Sequence, residues 1–583
     1  MELYSTHIFL FPFQWYFTGG KAEHDTLEKR TSLEQLVRNF EETRRWRRRP
    51  YKPDNVLSYN EYNYFYDFVR DTMFDRQEAI NKRSVLANLF YDIVPEQHTF
   101  SFEVGHAGQS KSWKEYTLLI DSIIVHLYSS GVGVLSFHLN NRKPDQKEID
   151  DILKINQYGR RIYPPFFGMD HQMVAEPEKY LSKDFEKGLE ITQNKELARS
   201  FRMIDPGWFE DFSGLPADLA AGREPFRLPG HIAPLFRDIP LIFSKSEQKS
   251  TSRQIYISPL LDDRMFCICW YGNDALAKEL SCKVPVSHQE FDGYIRESRK
   301  VRFPVTATIQ GGSPASAYNF MHHELWYKLL FVDCGLSTCQ NMEMKEKLID
   351  RHTYARWADY NTLFGITRYS FICISEEYST LCKNDASFLI NHTQTIYYKL
   401  IELCLVQRAC ILRFSDEVAR ISDMSRTVKP SLTDRVSSLY KQYIRFVNRV
   451  FFREITAQEQ GIELYEMAQR VMSIPENVKD LDNEISELHH YVGIQEEQKT
   501  NRSLWYLTLI GASFVIPSFL AGFFGMNLFG EEDFKWIIPH YLVTISHTTW
   551  FVAAVVFNTM AVMTGLLFWI YHLKQRGIKQ KEQ

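Results

Sequence analysis

Apolar residues recur with three different rhythms along the chain. Before residue 386, short apolar runs with strand character alternate with helical patterns: His7 to Phe17, Tyr116 to Tyr128, Val132 to Leu139, Met265 to Trp270 and Tyr369 to Ser375. An α/β domain over 1–385 is expected, with a Pro- and Gly-rich insertion near 194–255 that ends in the solvated stretch Lys245 to Arg253. From 386 to 502 the period becomes helical. Two long helices, about 386–426 and 431–472, are separated by Lys429-Pro430 and restarted by Ser431 with Asp434 three residues on. The second carries Val436, Leu439, Tyr443, Val447 and Val450 on one face. Val478, Leu481, Ile485, Leu488 and Val492 then repeat at 3, 4, 3 and 4, a stalk stripe that runs straight toward residue 503.

The third rhythm is continuous apolarity. Ser503 to Gly530 contains no Asp, Glu, Lys or Arg, the length one helix needs to cross a bilayer core. A second such stretch runs from Trp536 to Leu573, and the polar Glu531-Glu532-Asp533 between them makes an outer acidic loop. The reading is a two-helix transmembrane hairpin over 503–573 with a basic tail at 574–583. Lys499 and Arg502 before the first span, with Lys574, Arg576, Lys579 and Lys581 after the second, place both termini on the cytoplasmic side of the cell's inner (plasma) membrane. Trp505, Trp536, Trp550 and Trp569 suit the headgroup levels. The first apolar run has neither a basic leader nor a small-residue cleavage site, so a first strand is expected there rather than a signal peptide.

Charge and cysteine content narrow the partners. With 68 Lys and Arg against 72 Asp and Glu, the formal charge of -4 gives no global attraction to nucleic acid. Nine cysteines without a CxxC pair indicate neither a zinc cage nor a disulfide framework. No nucleophile-and-base constellation stands out, so no enzyme is expected. Gln310-Gly311-Gly312-Ser313 lacks the Lys-Ser/Thr ending of a phosphate loop, and His322-His323-Glu324 lacks the spacing of a helical zinc site.

On a helical period Leu507, Gly511, Val515, Ser518 and Gly522 share one narrow face. It reads equally as a helix-packing seam or a pore lining until Gly525-Met526-Asn527 is considered. There glycine permits a sharp helix exit, and a ring of Asn amides would hydrogen-bond the water shell of an entering cation without stripping it. The chain here resembles the CorA family of divalent-cation channels, through Ala521 to Phe529 as well as the triplet, with Phe524 where a Tyr is common. The resemblance implies a homopentamer in a lipid bilayer that conducts Mg²⁺ or another divalent cation. It also makes Gly525, Met526 and Asn527 the filter, and Asn501 and Leu507 the inner polar ring and hydrophobic gate. Val515 and Ser518 stand where Met and Thr are often found.

The first 385 residues exceed what such channels need, and a ligand sensor is one reason for the excess. Gly131 to Phe137 and Arg356 to Tyr360 are similar to enlarged CorA-like proteins found beside type III CRISPR systems in antiviral defence. That resemblance implies gating by a nucleotide second messenger, S-adenosylmethionine joined to AMP. Arg44, Arg45, Trp46 and Arg47 interleave guanidinium groups with an aromatic plane that could hold a phosphate and stack on a base. The alternative is a solvated basic helix end or an intersubunit salt-bridge surface. Arg356 and Arg368 are a second option. Asp262, Asp263, Asp480 and Asp482 could bind a regulatory divalent ion across subunits, as expected of a housekeeping Mg²⁺, Co²⁺, Ni²⁺ or Zn²⁺ transporter closed by its own cation. A membrane-anchored enzyme is disfavoured by the small and polar face of the first span.

Overall fold

A computed structural model of the protein describes residues 2–18, 31–75, 85–106, 112–162, 196–210, 229–242, 254–260, 264–285, 316–424, 431–525 and 556–560, with 562 and 565. The chain divides into two compact units, 1–486 and 487–583. In the first, the strands are β1 (Ser5–Thr18), β2 (Trp46–Arg48), β3 (Leu86–Tyr91), β4 (His98–His106), β5 (Lys114–Tyr128), β6 (Val132–Asn141), β7 (Glu196–Met203), β8 (Asp205–Glu210), β9 (Leu241–Ile242), β10 (Gln254–Pro259), β11 (Phe266–Gly272), β12 (Lys283–Pro285), β13 (Ser316–Tyr318), β14 (Thr353–Tyr354), β15 (Leu363–Ile366) and β16 (Ser370–Ser375). The helices are α1 (Leu33–Glu42), α2 (Val56–Tyr64), α3 (Asp67–Met73), α4 (Ile149–Gly159), α5 (Asp274–Ser281), α6 (Glu324–Phe331), α7 (Met342–His352), α8 (Tyr378–Lys383), α9 (Phe388–Gln394), α10 (Ile396–Met424), α11 (Ser431–Arg449) and α12 (Glu459–Val471), and α13 (Ile474–Gly525) begins in this unit and runs on into the second.

One 14-stranded sheet organises this unit, in the order β14-β15-β16-β11-β1-β6-β5-β4-β7-β8, with β10, β9, β3 and β2 branching from it. Its pairs are antiparallel apart from β11 with β16 and β9 with β10. β1 is the central strand, and its alternating aromatic and aliphatic residues are buried on both faces, as a strand covered on two sides requires. It pairs along its length with β6. On its other edge it pairs with β11 through Ser5 to Leu10 and with β10 through Phe13 to Thr18. Pro12, which has no N–H to give a ladder, stands at the changeover. The turn from β5 to β6 closes on Gly131, whose φ of +79° suits a residue without a Cβ and whose N–H donates to the Tyr128 carbonyl at 3.0 Å.

Helices cover both faces of the sheet. On one, α4 brings Asn156 within 2.8 Å of His7 Nδ1 and sets Gly159 against the rings of Phe9 and Phe102. On the other lies α10, where Cys410 Sγ donates to Ser130 Oγ at 3.2 Å and Arg420 sits over the Tyr16 ring. β7 and β8, inside the stretch read from sequence as an insertion, extend the main sheet beyond β4; 211–228 and 243–253 lie outside the described residues.

The helical region is more broken than its periodicity indicates. The expected helix 386–426 is interrupted at Thr395, with φ -120° and ψ -79°, between α9 and α10. The expected helix 431–472 is α11 and α12, with residues 450–458 between them. The backbone freed by that break is satisfied by buried side chains: Gln407 donates to the Val450 carbonyl at 2.8 Å, and Tyr465 and Gln469 donate to the Phe452 carbonyl at 2.8 and 3.3 Å. In α13, Val478, Leu481, Ile485 and Val492 are buried and Leu488 is half-buried.

Candidate pore-lining face and charged clusters

α13 is a single helix of 52 residues that carries the stalk stripe at one end and the charge-free run at the other. Asn501, Leu507, Gly511, Val515, Ser518 and Gly522 all fall on it; Asn501, Leu507, Gly511, Val515 and Gly522 are exposed in the single chain. A Cβ added at Gly511 or Gly522 would meet nothing within 4 Å. Exposure extends to the other sides of the helix, where Leu504, Ile510, Phe514 and Phe519 are also uncovered. A helix apolar all round is unstable in water without a covering, whether lipid or other copies of the helix. Gly525 is its last described residue. Met526 and Asn527 of the expected filter, the acidic loop Glu531, Glu532 and Asp533, and nearly all of the second expected span lie outside the described residues. Among the described residues no helix is long and apolar enough to cross a membrane.

The arginine cluster is engaged inside the chain. Because Trp46 to Arg48 is a strand rather than a helix end, side chains alternate, and Trp46 points inward. Trp46 is 1% exposed, donates to the Leu235 carbonyl at 2.8 Å and packs edge-on against Phe40 and Tyr91, so it offers no open face for a base. Arg45 donates to the Pro234 carbonyl at 3.3 Å, and Arg47 pairs with Asp92 at 2.7 Å. Arg44 adopts a φ of +58°. An open cavity of about 320 Å³ beside them is lined by Glu42 and Asp238 together with Gln35 and Asn39, and its two carboxylates oppose a phosphate.

Arg356 and Arg368 are likewise tied to helices. Arg356 clamps Glu463 at 2.7 Å and Glu459 at 3.1 Å, one turn apart on α12. Arg368 donates to the Val471 carbonyl at the end of α12 and to Ser473 Oγ, where a cation complements a helix C-terminus. His322 meets Glu346 at 2.8 Å and His323 meets Glu279 at 3.1 Å. Asp480 and Asp482 are exposed on α13, Asp262 and Asp263 lie outside the described residues, and no group that could hold a metal ion occurs among the described residues. Burial pushes the Cys269 and Cys410 thiols up to about 12 and about 11, which makes them inert as nucleophiles.

Sequence reading missed a second polar group, under α10. His126, His138, Tyr398 and Glu402 are all buried there, between helix and sheet. The available signal was Glu402 itself, an acid inside the otherwise apolar Leu400 to Leu405.

Residues 361–572 match the family described as CorA-like Mg²⁺ transporter protein. The matched region begins just before β15 and takes in all the helices from α8 onward, the candidate pore face and Gly525-Met526-Asn527. Most of the sheet precedes it. No curated protein matches the chain.

Proposed function

We propose that this protein is a CorA-like divalent-cation channel of the cell membrane, conducting Mg²⁺ or an ion of similar hydration through a homopentamer. The observation that carries the reading is the family match over 361–572, because it contains the first charge-free stretch with its Gly525-Met526-Asn527 triplet and nearly all of the second. The uncovered apolar surface of α13 adds to it, since several copies of one helix around an axis within lipid would cover that surface. Asn527 is the proposed outer filter, followed inward by Ser518, Val515 and the Leu507 gate, with Asn501 as the inner polar ring. The acidic residues 531 to 533 raise the local concentration of cations.

Most of the sheet precedes the matched region, and this part is the proposed sensor of an intracellular ligand, of the nucleotide class that S-adenosylmethionine joined to AMP represents. The engaged state of Arg45, Arg47, Arg356 and Arg368 lends that ligand no support at those residues. Mg²⁺ flux into liposomes tests the channel. Asn527→Ala is expected to abolish selective flux while leaving the oligomer intact, and a variant that conducts Mg²⁺ like the parent would sink the filter assignment. Calorimetry of the full-length protein with S-adenosylmethionine-AMP tests the sensor: binding supports it, and no heat at saturating ligand removes it.

A further inference from the structure

Charges without counterions collect at two places in the first unit, and their signs are opposite. The first place is the turn from β15 to β16. Arg368 there donates from Nε to the Val471 carbonyl at 3.2 Å and from Nη2 to Ser473 Oγ at 3.1 Å. Arg408 of α10 donates to the Arg368 carbonyl at 2.8 Å and lies over the Tyr369 ring. His352, the last residue of α7, donates from Nδ1 to the Ile366 carbonyl at 2.6 Å, which brings its neighbour Arg351 to the same turn. None of Arg351, Arg368 and Arg408 forms an ion pair among the described residues, and the acceptors that Arg368 and Arg408 reach are neutral. Arg470, beside them on α12, faces Asp350 and Glu466 as well as Arg351. The C-termini of α7 and α12 meet here and offset about half a charge each, which leaves about two of the three guanidinium charges uncompensated. The crowding is felt locally: burial first, and then the charges of Arg351, Arg470 and Arg368, hold the His352 imidazole below its ordinary range.

The second place is the start of α13. Glu476, Asp480 and Glu484 recur every fourth residue and are exposed, on a different face from the buried Val478, Leu481 and Ile485. Their carboxylates make no hydrogen bond or ion pair among the described residues, and Lys479 pairs with none of them. Glu476 gains from the helix N-terminus, but Asp480 and Glu484 lie beyond the first turn, where like charges at i and i+4 work against the helix. Ser473 ties the two places together. Arg368 is bonded to it, and at a rise of about 1.5 Å per residue Glu476, Asp480 and Glu484 stand about 4.5, 10.5 and 16.5 Å along the helix from it. In a ring of copies whose axis runs along α13, every residue keeps its level from copy to copy, and each copy sets one face against a different face of the next. The arginines of one copy then stand at the level of its neighbour's lower acidic residues.

We propose that Arg351, Arg368 and Arg408 dock on the acidic stripe Glu476, Asp480 and Glu484 of a second copy of this chain, so that guanidinium groups rather than divalent ions bridge adjacent stalks. The inference rests on the homo-oligomer of the proposed function and adds which faces meet and what holds them. Arg351 and Arg368 are exposed with donors to spare, and a guanidinium can take a carboxylate through two bonds at once. A contact of this kind is weakened by salt and indifferent to chelation.

The test uses the full-length protein in detergent with a benzophenone side chain in place of Asn483, which adjoins the stripe and leaves its carboxylates where they are. Sedimentation first establishes the assembly. Irradiation is then expected to join two chains, linking the peptide around residue 483 to one that holds Arg351 or Arg368. The yield should fall by about threefold or more between about 0.1 M and about 1 M NaCl, and persist in EDTA. Arg351→Glu and Asp480→Lys should each lower it as well, and the two together should restore it. Neither side chain holds anything within the chain, so the fold stays out of the comparison. A link formed only within one chain or only between two α13 helices, a yield indifferent to salt and to Arg351→Glu, or a link lost on chelation would overturn the inference and leave the oligomer standing. A folded chain that sediments as a monomer would instead remove the oligomer on which it rests.

Discussion

The Asp75 carboxylate accepts from Arg48 at 2.7 and 2.6 Å and from the Asn88 backbone at 3.0 Å, with its side chain shut off from solvent. Asp75→Ala would leave a half-buried guanidinium and a buried N–H without these partners. A loss of about 3 kcal/mol is expected in urea unfolding of the full-length protein. Buried histidines set the acid limit. Burial lowers His231 to about 3 and His7 to about 4, the latter against its bond to Asn156. The unfolded chain takes up protons below about pH 6.5 and the folded chain does not, so stability falls as pH drops from there toward these values. His231→Phe, which keeps the stack on Phe201, should therefore flatten the fall in melting temperature between about pH 6 and 4. At this scale, sequence showed which residues carry charge but not which charges are already taken. Arg47 and Asp92, 45 positions apart, become partners only when β2 pairs with β3.

Elements were more legible, because burial imposes a period on the chain. Strand readings at Tyr116 to Tyr128 and Val132 to Leu139 fall within β5 and β6. The breaks inside long helices escaped, since 450–458 is held by Gln407 and Gln469 from other turns and carries no local Gly or Pro to announce it. The expected stripe of α11 also turned slightly: Phe446 is buried where Val447 was expected, and Val447 is half-buried. In α13, Ile485 is fully buried and Asp482 is exposed. Ile485→Ala should cost about 2–4 kcal/mol through the cavity it leaves, and Asp482→Asn about 0.5 kcal/mol or less, both read from the urea midpoint.

For the whole molecule, the uncovered apolar length of α13 predicts a sharp difference between the complete chain and one ending at residue 486. In ultracentrifugation without detergent the complete chain should pellet and the shortened one should remain dispersed. Equal behaviour would show that α13 covers its own surface. The candidate filter is a reading of local sequence alone, three adjacent residues of which Met526 and Asn527 lie outside the described residues. The polar group under α10 was legible only as Glu402, an acid in an apolar run, since His126 and Glu402 meet only after most of the chain has been laid down.

That order of assembly bears hardest on β1. The ribosome delivers this aromatic-rich segment well before its neighbours, which are β6, ending at residue 141, and β10 and β11, ending at residue 272. Until those arrive, 14 residues with nearly a strand's full complement of unmatched donors and acceptors are open to any other nascent chain. Pro12 interrupts the donors at the middle of that segment, and so serves during synthesis as a gatekeeper against premature pairing as well as marking, in the finished sheet, the place where two partners divide one strand.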